Sequence, residues 1–272
     1  MTTKTINMTQ LTLIKLGGSL ITDKDKPFTA REEVILRLVK EIKSSLKNYQ
    51  GKIILAHGSG SFGHSVAAKY QTKLGNINKS SLKGLILTAD AAIQINRIVV
   101  KQCLKVGLSV VSLAPLSFIV ARNNEVKDCY LTPLKELLKN NLIPIIYGDV
   151  VMDQKTGWTI FSAETSLNII AQQLRKEYFL TKVIHCGITD GVYDDQGKTI
   201  PTIDQVYFEK IKKMIRGSES TDVTGGMLHK VTESLAMASQ GAKCLIINGN
   251  IPGNLKKAIL GQKVVGTRII GG

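Results

Sequence analysis

Four segments carry the side chains best suited to handling negative charge, and each stands where an apolar run gives way to a turn. Lys15-Leu16-Gly17-Gly18-Ser19 follows the first such run. Its glycines let the backbone approach an anion, and Ser19 adds a donor. An ordinary strand-to-helix turn favours glycine as well, so this segment alone leaves both readings open; it is neither a Walker A loop nor a GxGxxG fingerprint. The second segment, His57-Gly58-Ser59-Gly60-Ser61-Phe62-Gly63-His64, supplies closely spaced backbone N–H groups, two hydroxyls and two imidazoles, a set that fits an oxyanion. The histidines lie seven residues apart across what reads as a flexible loop with no third ligand nearby, which argues against zinc. His57, at a strand end, reads as a structural hydrogen-bonding residue and His64 as the functional one.

Asp190-Gly191-Val192-Tyr193-Asp194 follows another apolar run, with an acid and a turn suited either to the edge of a nucleotide or to a simple hairpin. Asp222-Val223-Thr224-Gly225-Gly226-Met227 leads into a helical stretch bearing Lys230. A helix start offers unpaired N–H groups and positive partial charge to a phosphate, and Lys230 sits about one turn in.

Such loops act together only if a scaffold gathers them. Leu11 to Leu16, Lys52 to His57, Ser109 to Leu113, Leu142 to Tyr147, Lys182 to Cys186, Cys244 to Ile247 and Thr267 to Ile270 read as strands, separated by stretches of helical period such as Leu82 to Val106. Val150 to Phe161 reads as a hairpin turning at Gln154 to Gly157. Repeated alternation predicts an α/β fold, an open three-layer αβα sandwich with a mostly parallel central sheet, whose ligands bind beyond the carboxyl ends of the strands. Any division into halves is subtle, with a boundary expected near Thr181.

Composition limits the alternatives. The 272 residues are 43% apolar, enough for one substantial core or two closely joined halves. The apolar runs are far shorter than the roughly 20 residues a membrane helix needs, and Met1 to Gln10 has no signal-peptide core, so a cytoplasmic protein without membrane association is expected. The four cysteines, Cys103, Cys129, Cys186 and Cys244, are scattered and read as buried thiols. A net charge of +15 would suit a nucleic acid, but the lysines are dispersed and aromatics are only 5%, so a solvated basic surface is the better reading and no nucleic-acid partner is expected.

Together, the opening Lys-x-Gly-Gly-Ser, the second glycine loop, Asp190-Gly191-Val192 and Thr224-Gly225-Gly226-Met227 with Lys230 resemble the amino acid kinase family. The resemblance runs from Leu11 to Gly266-Thr267-Arg268-Ile269. Leu16-Gly17-Gly18-Ser19 followed by Thr22-Asp23-Lys24, and a second loop ending in Gly63-His64, are most similar to the branch acting on isopentenyl phosphate. That resemblance implies an ATP- and Mg²⁺-dependent transferase in isoprenoid biosynthesis, commonly a homodimer, with the acceptor over residues 1–180 and the nucleotide over 181–272 on one continuous sheet. Carried over by motif, Lys15, Lys24 and His64 would be catalytic, the lysines on the transferred phosphoryl group. Lys15, Gly17, Gly18, Ser19, Gly60, Asp190, Gly225 and Lys230 would hold ATP, and Ser59, His64, Ser162 and Ala163 the acceptor. No protein metal site is implied.

One departure stands out: where such kinases usually read Ser-Gly-Asp, this chain has Ser162-Ala163-Glu164. Either the variant is tolerated, or the added methyl and longer carboxylate alter how the lysines and acceptor are arranged. The apolar helix face of Leu82, Leu85, Ile86, Ala89 and Ile93 reads by default as core, with an acceptor-tail pocket as the lesser alternative. The alternatives are a kinase for a small phosphonate, as in fosfomycin kinase, a carboxylate kinase, or a nucleotide-binding module without catalysis.

Overall fold

A computed structural model describes residues 8–217 and 226–271. Its centre is an eight-stranded sheet built on β1 (Thr9–Leu16), with β2 (Lys52–His57), β6 (Ile143–Tyr147) and β3 (Val110–Ser112) on one side. On the other lie β9 (Tyr178–Gly187), β11 (Lys243–Asn248), β12 (Gly266–Ile269) and β10 (Thr202–Ile203). The strands from β11 through β3 run parallel, and β12 alone pairs antiparallel, with β11. The expected parallel α/β sandwich is therefore present. Position 181 falls inside β9, which pairs with both β1 and β11, so the sheet itself runs through that point.

The unbroken apolar strands follow from burial on both faces. Leu11 and Leu13 of β1, Ile54 and Ala56 of β2, Val183 of β9 and Ile246 of β11 share one core with α6 (Ala163–Leu174), α7 (Gln205–Gly217) and α8 (Gly226–Ala238). Ile14, Leu16, Ile53, Leu55, Ile184 and Ile247 face the other core, formed with α2 (Glu32–Ser45), α4 (Ser81–Lys105) and α9 (Asn254–Ile259). By this alternation Lys15 and His185, paired across β1 and β9, project with the first core, beneath α6 and α8.

A second, four-stranded sheet has the order β5 (Glu125–Cys129), β4 (Ile119–Arg122), β7 (Asp149–Asp153), β8 (Gly157–Phe161). The β7–β8 hairpin turns where expected; β4 and β5 were not anticipated. Asn123 and Asn124, both at positive φ, make their turn, a recognised hairpin signal. Asp153 pins both turns by accepting the N–H groups of Asn123, Asn124, Lys155 and Thr156. The second glycine segment is also more ordered than its sequence suggests: α3 (Gly60–Tyr70) begins inside it, so His64 sits on a helix rather than in a flexible loop.

Candidate active site

Five neighbouring parallel strands end in glycine at the same rim: β11 before Gly249, β9 at Gly187, β1 before Gly17, β2 before Gly58 and β6 before Gly148. Their N–H groups extend the ladder past the strands, Gly17 to Cys186 O (2.8 Å), Gly58 to Leu16 O (3.0 Å), Gly148 to His57 O (3.1 Å) and Gly249 to Gly187 O (2.7 Å). Gly17, Gly58, Gly148 and Gly187 of these form a floor of bare backbone under a cavity of about 550 Å³, walled by the loops after β1, β2, β6 and β9 and by the starts of α6 and α8. A Cβ on Gly58 would stand 3.8 Å from Lys15 Nζ, and one on Gly187 the same distance from Lys230 Nζ, so each ammonium lies close to this floor.

The two glycine loops touch backbone to backbone. A Cβ on Gly18 would fall 2.5 Å from Gly60 N, and Gly60 itself has φ +51°. Thr22 fastens them, donating to Gly18 O (2.8 Å) and accepting from Ser61 N (3.0 Å). Gly60 is therefore a buried hinge post beneath the wall, and it does not line the cavity. Lys15, Gly17, Gly18, Ser19, Ser59, His64, Ser162, Ala163 and Lys230 all do, as does Lys24 from an exposed loop. Asp190 lies to one side: its neighbours Thr189 and Gly191 reach the cavity, while its own carboxylate accepts the Asn248 amide at 2.9 Å. Gly225 lies outside the described residues.

His57 has the structural role expected. It is fully buried, within hydrogen-bond distance of Asn96 Oδ1 (3.2 Å) and Gly58 O (3.1 Å), stacked on Tyr147, and burial holds its pKa below the usual histidine range. The reading of α4 needs correction. Leu82, Ile86 and Ile93 are exposed and Leu85 and Ala89 half-buried, whereas the buried Thr88 and Ala92 of α4 line the cavity with Ala67, Ile160 and Phe161. The buried positions of α4 are small over its first half, Gly84, Thr88, Ala91 and Ala92, and larger beyond, Ile95, Val99 and Val100.

Glu164 stands out in the sequence as a carboxylate that could arrange the lysines, whereas His185, His229 and Glu233 escape sequence reading. Glu164 sits in the first turn of α6, whose N-cap Ser162 accepts Thr165 N at 3.0 Å, and it meets Lys15 Nζ at 2.5 Å in a buried ion pair. Burial pushes the Glu164 carboxyl up, but the adjacent Lys15, with His185 and Lys230, outweighs that and holds it down at about 2. His229, on α8, is 2.8 Å from Ser162 Oγ and 3.2 Å from Thr165 Oγ1, while Glu233 accepts from Thr165 (3.0 Å) and Asn168 (2.6 Å). This polar seam ties α8, which carries Lys230, to α6. His185 is fully buried, and neither ring nitrogen has a hydrogen-bond partner among the described residues.

Asp149, also in the wall, is raised to about 7 by burial, against the opposing N–H groups of Val150 and Leu116. Its folded pKa lies above the unfolded 3.8, so the stability it contributes is complete below that value and is lost as pH rises through about 7. The stability measured in melts is expected to fall relative to Asp149→Asn from about pH 4 to about pH 7, by up to about 1.4 kcal/mol per pH unit, and to level off above that. Parallel curves for the two proteins would refute this.

No group of three or more acidic, histidine or cysteine side chains among the described residues is placed to hold a metal ion. The carboxylates of the wall are Asp149, Glu164 and Asp194, the first bonded to backbone N–H groups and the second to Lys15. The arrangement suits polyphosphate bound by amides and ammonium groups, with any divalent cation held mainly through the phosphates.

Comparisons with known proteins agree with this geometry. Residues 10–248 match the model of the amino acid kinase family. The isopentenyl phosphate kinase of Methanocaldococcus jannaschii is 35% identical over 95% of this chain and 98% of its own. That of Methanothermobacter thermautotrophicus is 32% identical with the same coverage. A solved isopentenyl phosphate kinase structure superposes with a TM-score of 0.80 at 28% identity, covering 96% of this chain and all of the other. With its strand-end glycine floor, paired lysines and helix-borne histidine, the chain belongs to the amino acid kinase family, within the isopentenyl phosphate kinase group.

Proposed function

We propose that this kinase transfers the γ-phosphoryl group of ATP to isopentenyl phosphate, giving isopentenyl diphosphate and ADP. The observation that carries the reading is that one cavity joins Lys15, Lys24, Lys230 and His64 to an apolar end formed by Ala67, Ala92, Ile160 and Phe161. A bond forms from an acceptor phosphate oxygen to Pγ while the bond from Pγ to the β–γ bridging oxygen breaks, its electrons leaving on ADP. The attacking oxygen is already ionised near neutral pH, so no strong base is needed. Alignment and charge stabilisation do the rest.

In this reading Lys15 and Lys24 stabilise the moving group, while Lys230 with the Gly17, Gly18 and Ser19 loop holds the nucleotide phosphates. Ser59, His64, Ser162 and Ala163 hold the acceptor phosphate. Residues 1–180 thus serve mainly the acceptor and 181–272 mainly the nucleotide. Mg²⁺, bound through ATP oxygens, would neutralise phosphate charge. No helix among the described residues is long and apolar enough to cross a membrane, and a cytoplasmic site of action belongs to the same reading. So does a homodimer, supported by the exposed Leu82, Ile86, Ile93 and Leu104 along α4; light scattering distinguishes dimer from monomer.

The test is ADP release with Mg-ATP and a panel of isopentenyl phosphate, dimethylallyl phosphate, fosfomycin and N-acetylglutamate. Isopentenyl phosphate should be turned over with the highest kcat/KM. A rate no greater than with water alone would sink the assignment.

A further inference from the structure

Lys15 cannot serve two anions at full strength. Its ammonium is held 2.5 Å from Glu164 Oε1, with both side chains almost entirely out of solvent. If it stabilises the transferred phosphoryl group, as proposed above, some of that charge must turn toward the phosphate. The carboxylate left behind would then be a buried anion short of a partner, a costly state unless another donor takes it up.

We infer that His185 is that donor: a positioning residue that takes over Glu164 when Lys15 turns to the phosphoryl group. His185 lies in register with Lys15 on the neighbouring strand, so the two side chains project from the same face, the one that α6 with Glu164 covers over β1 and α8 covers over β9. It is wholly buried with neither ring nitrogen satisfied among the described residues, in a protein interior where polar groups are nearly always paired. Burial holds its pKa down at about 3, against the opposing pull of Glu164, with Lys15, Lys230 and His229 adding to the depression. The ring is therefore neutral and carries one N–H. Donating that N–H to Glu164 requires no proton transfer and adds no net charge to the site. A pair of partners for one carboxylate lets Lys15 shift without stranding it.

Orphaned nitrogens give the inference a signature that a structural histidine would not share. His185→Leu removes two unsatisfied buried atoms, so its melting temperature should be unchanged or higher. Its kcat should nevertheless fall roughly ten- to a hundredfold, the worth of one hydrogen bond to a charged group, with both KM values little changed. His185→Gln, which keeps a side-chain N–H, should recover part of the loss. In a Glu164→Gln background, where no charge is stranded, His185→Leu should add little. In the wild type, binding of a non-hydrolysable ATP analogue should move the His185 ring N–H resonance downfield, and Glu164→Gln should abolish that movement.

A His185→Leu protein with lower stability and undiminished kcat, or a ring resonance that ignores the nucleotide, overturns the inference. The inference rests on the role given to Lys15, and Lys15→Met in the same assay separates the two. If Lys15→Met keeps its kcat, the underlying reading fails; if only the Lys15 variant is impaired, the role of His185 fails alone.

Discussion

Lys15→Met is expected to lower kcat by about a thousandfold or more, because the positive charge nearest the transferred group would be gone from a water-poor site. The substitution also takes the charge partner from Glu164 and leaves only the neutral His185 N–H to meet the carboxylate. Breaking a buried pair costs about 3–5 kcal/mol, and a hydrogen bond to a charged group offsets only about 1.5–3 of it, so the single variant should still melt below the wild type. Loss of activity in that protein would then be ambiguous between chemistry and folding. The double variant Lys15→Met, Glu164→Gln resolves it: with no charge left to strand, much of the stability should return while kcat stays low. Thermal melts and single-turnover rates on the three proteins are the measurement. Recovery of turnover together with stability in the double variant would show that Lys15 supports the fold and not the reaction.

The ion pair also answers the question raised by Ser162-Ala163-Glu164. A carboxylate in the first turn of α6 reaches across to β1, and the glutamate side chain is long enough to close to 2.5 Å on Lys15. The departure from Ser-Gly-Asp therefore keeps a carboxylate on the lysine. Ala163, buried at the helix start with the extra methyl in the cavity wall, is the part of the change that bears on acceptor shape.

What could be read in advance follows from which signals are local. Apolar runs punctuated by glycine mark the parallel strands and their rim, because a strand buried on both faces must be apolar throughout and a rim that meets phosphate must lack side chains. Hence Gly17, Gly18, Gly58 and Lys15 stood out. Long-range pairing leaves no such trace. Glu164 could be suspected of arranging the lysines but not assigned to Lys15 until α6 is laid over β1, and His185 looks like one polar residue in an apolar strand until its register with Lys15 is known. Asp190 misled in the opposite direction. Its motif was legible, but the side chain turns to Asn248. On α4, an apolar stripe reads as core or, less readily, as a pocket, yet the face that meets the cavity is the one with Thr88 and Ala92. Hydrophobic periodicity identifies a helix with two usable faces and does not say which is lined by neighbours.

His64→Ala is expected to separate the two substrates. His64 is on the second turn of α3, on a helix whose first turn is fastened to the opening loop through Thr22 and Ser61, so its ring is presented to the cavity by rigid backbone. Across the cavity, Lys230 belongs to α8 and lies close to Gly187, on the other side of β1 from β2. A histidine donating to the acceptor phosphate contributes about 1.5–3 kcal/mol, so kcat/KM for isopentenyl phosphate should fall about ten- to a hundredfold. The KM for ATP and the affinity for ADP should hold, because the proposed nucleotide grip comes from Lys230 and the Gly17, Gly18 and Ser19 loop and does not use His64. His64→Gln, which keeps a donor on a side chain of similar reach, should fall between the two. Initial rates with each substrate varied in turn, and calorimetric titration with ADP, make the comparison. An equal loss toward both substrates would place His64 on the transferred group itself, and an unchanged kcat/KM for the acceptor would remove it from the site.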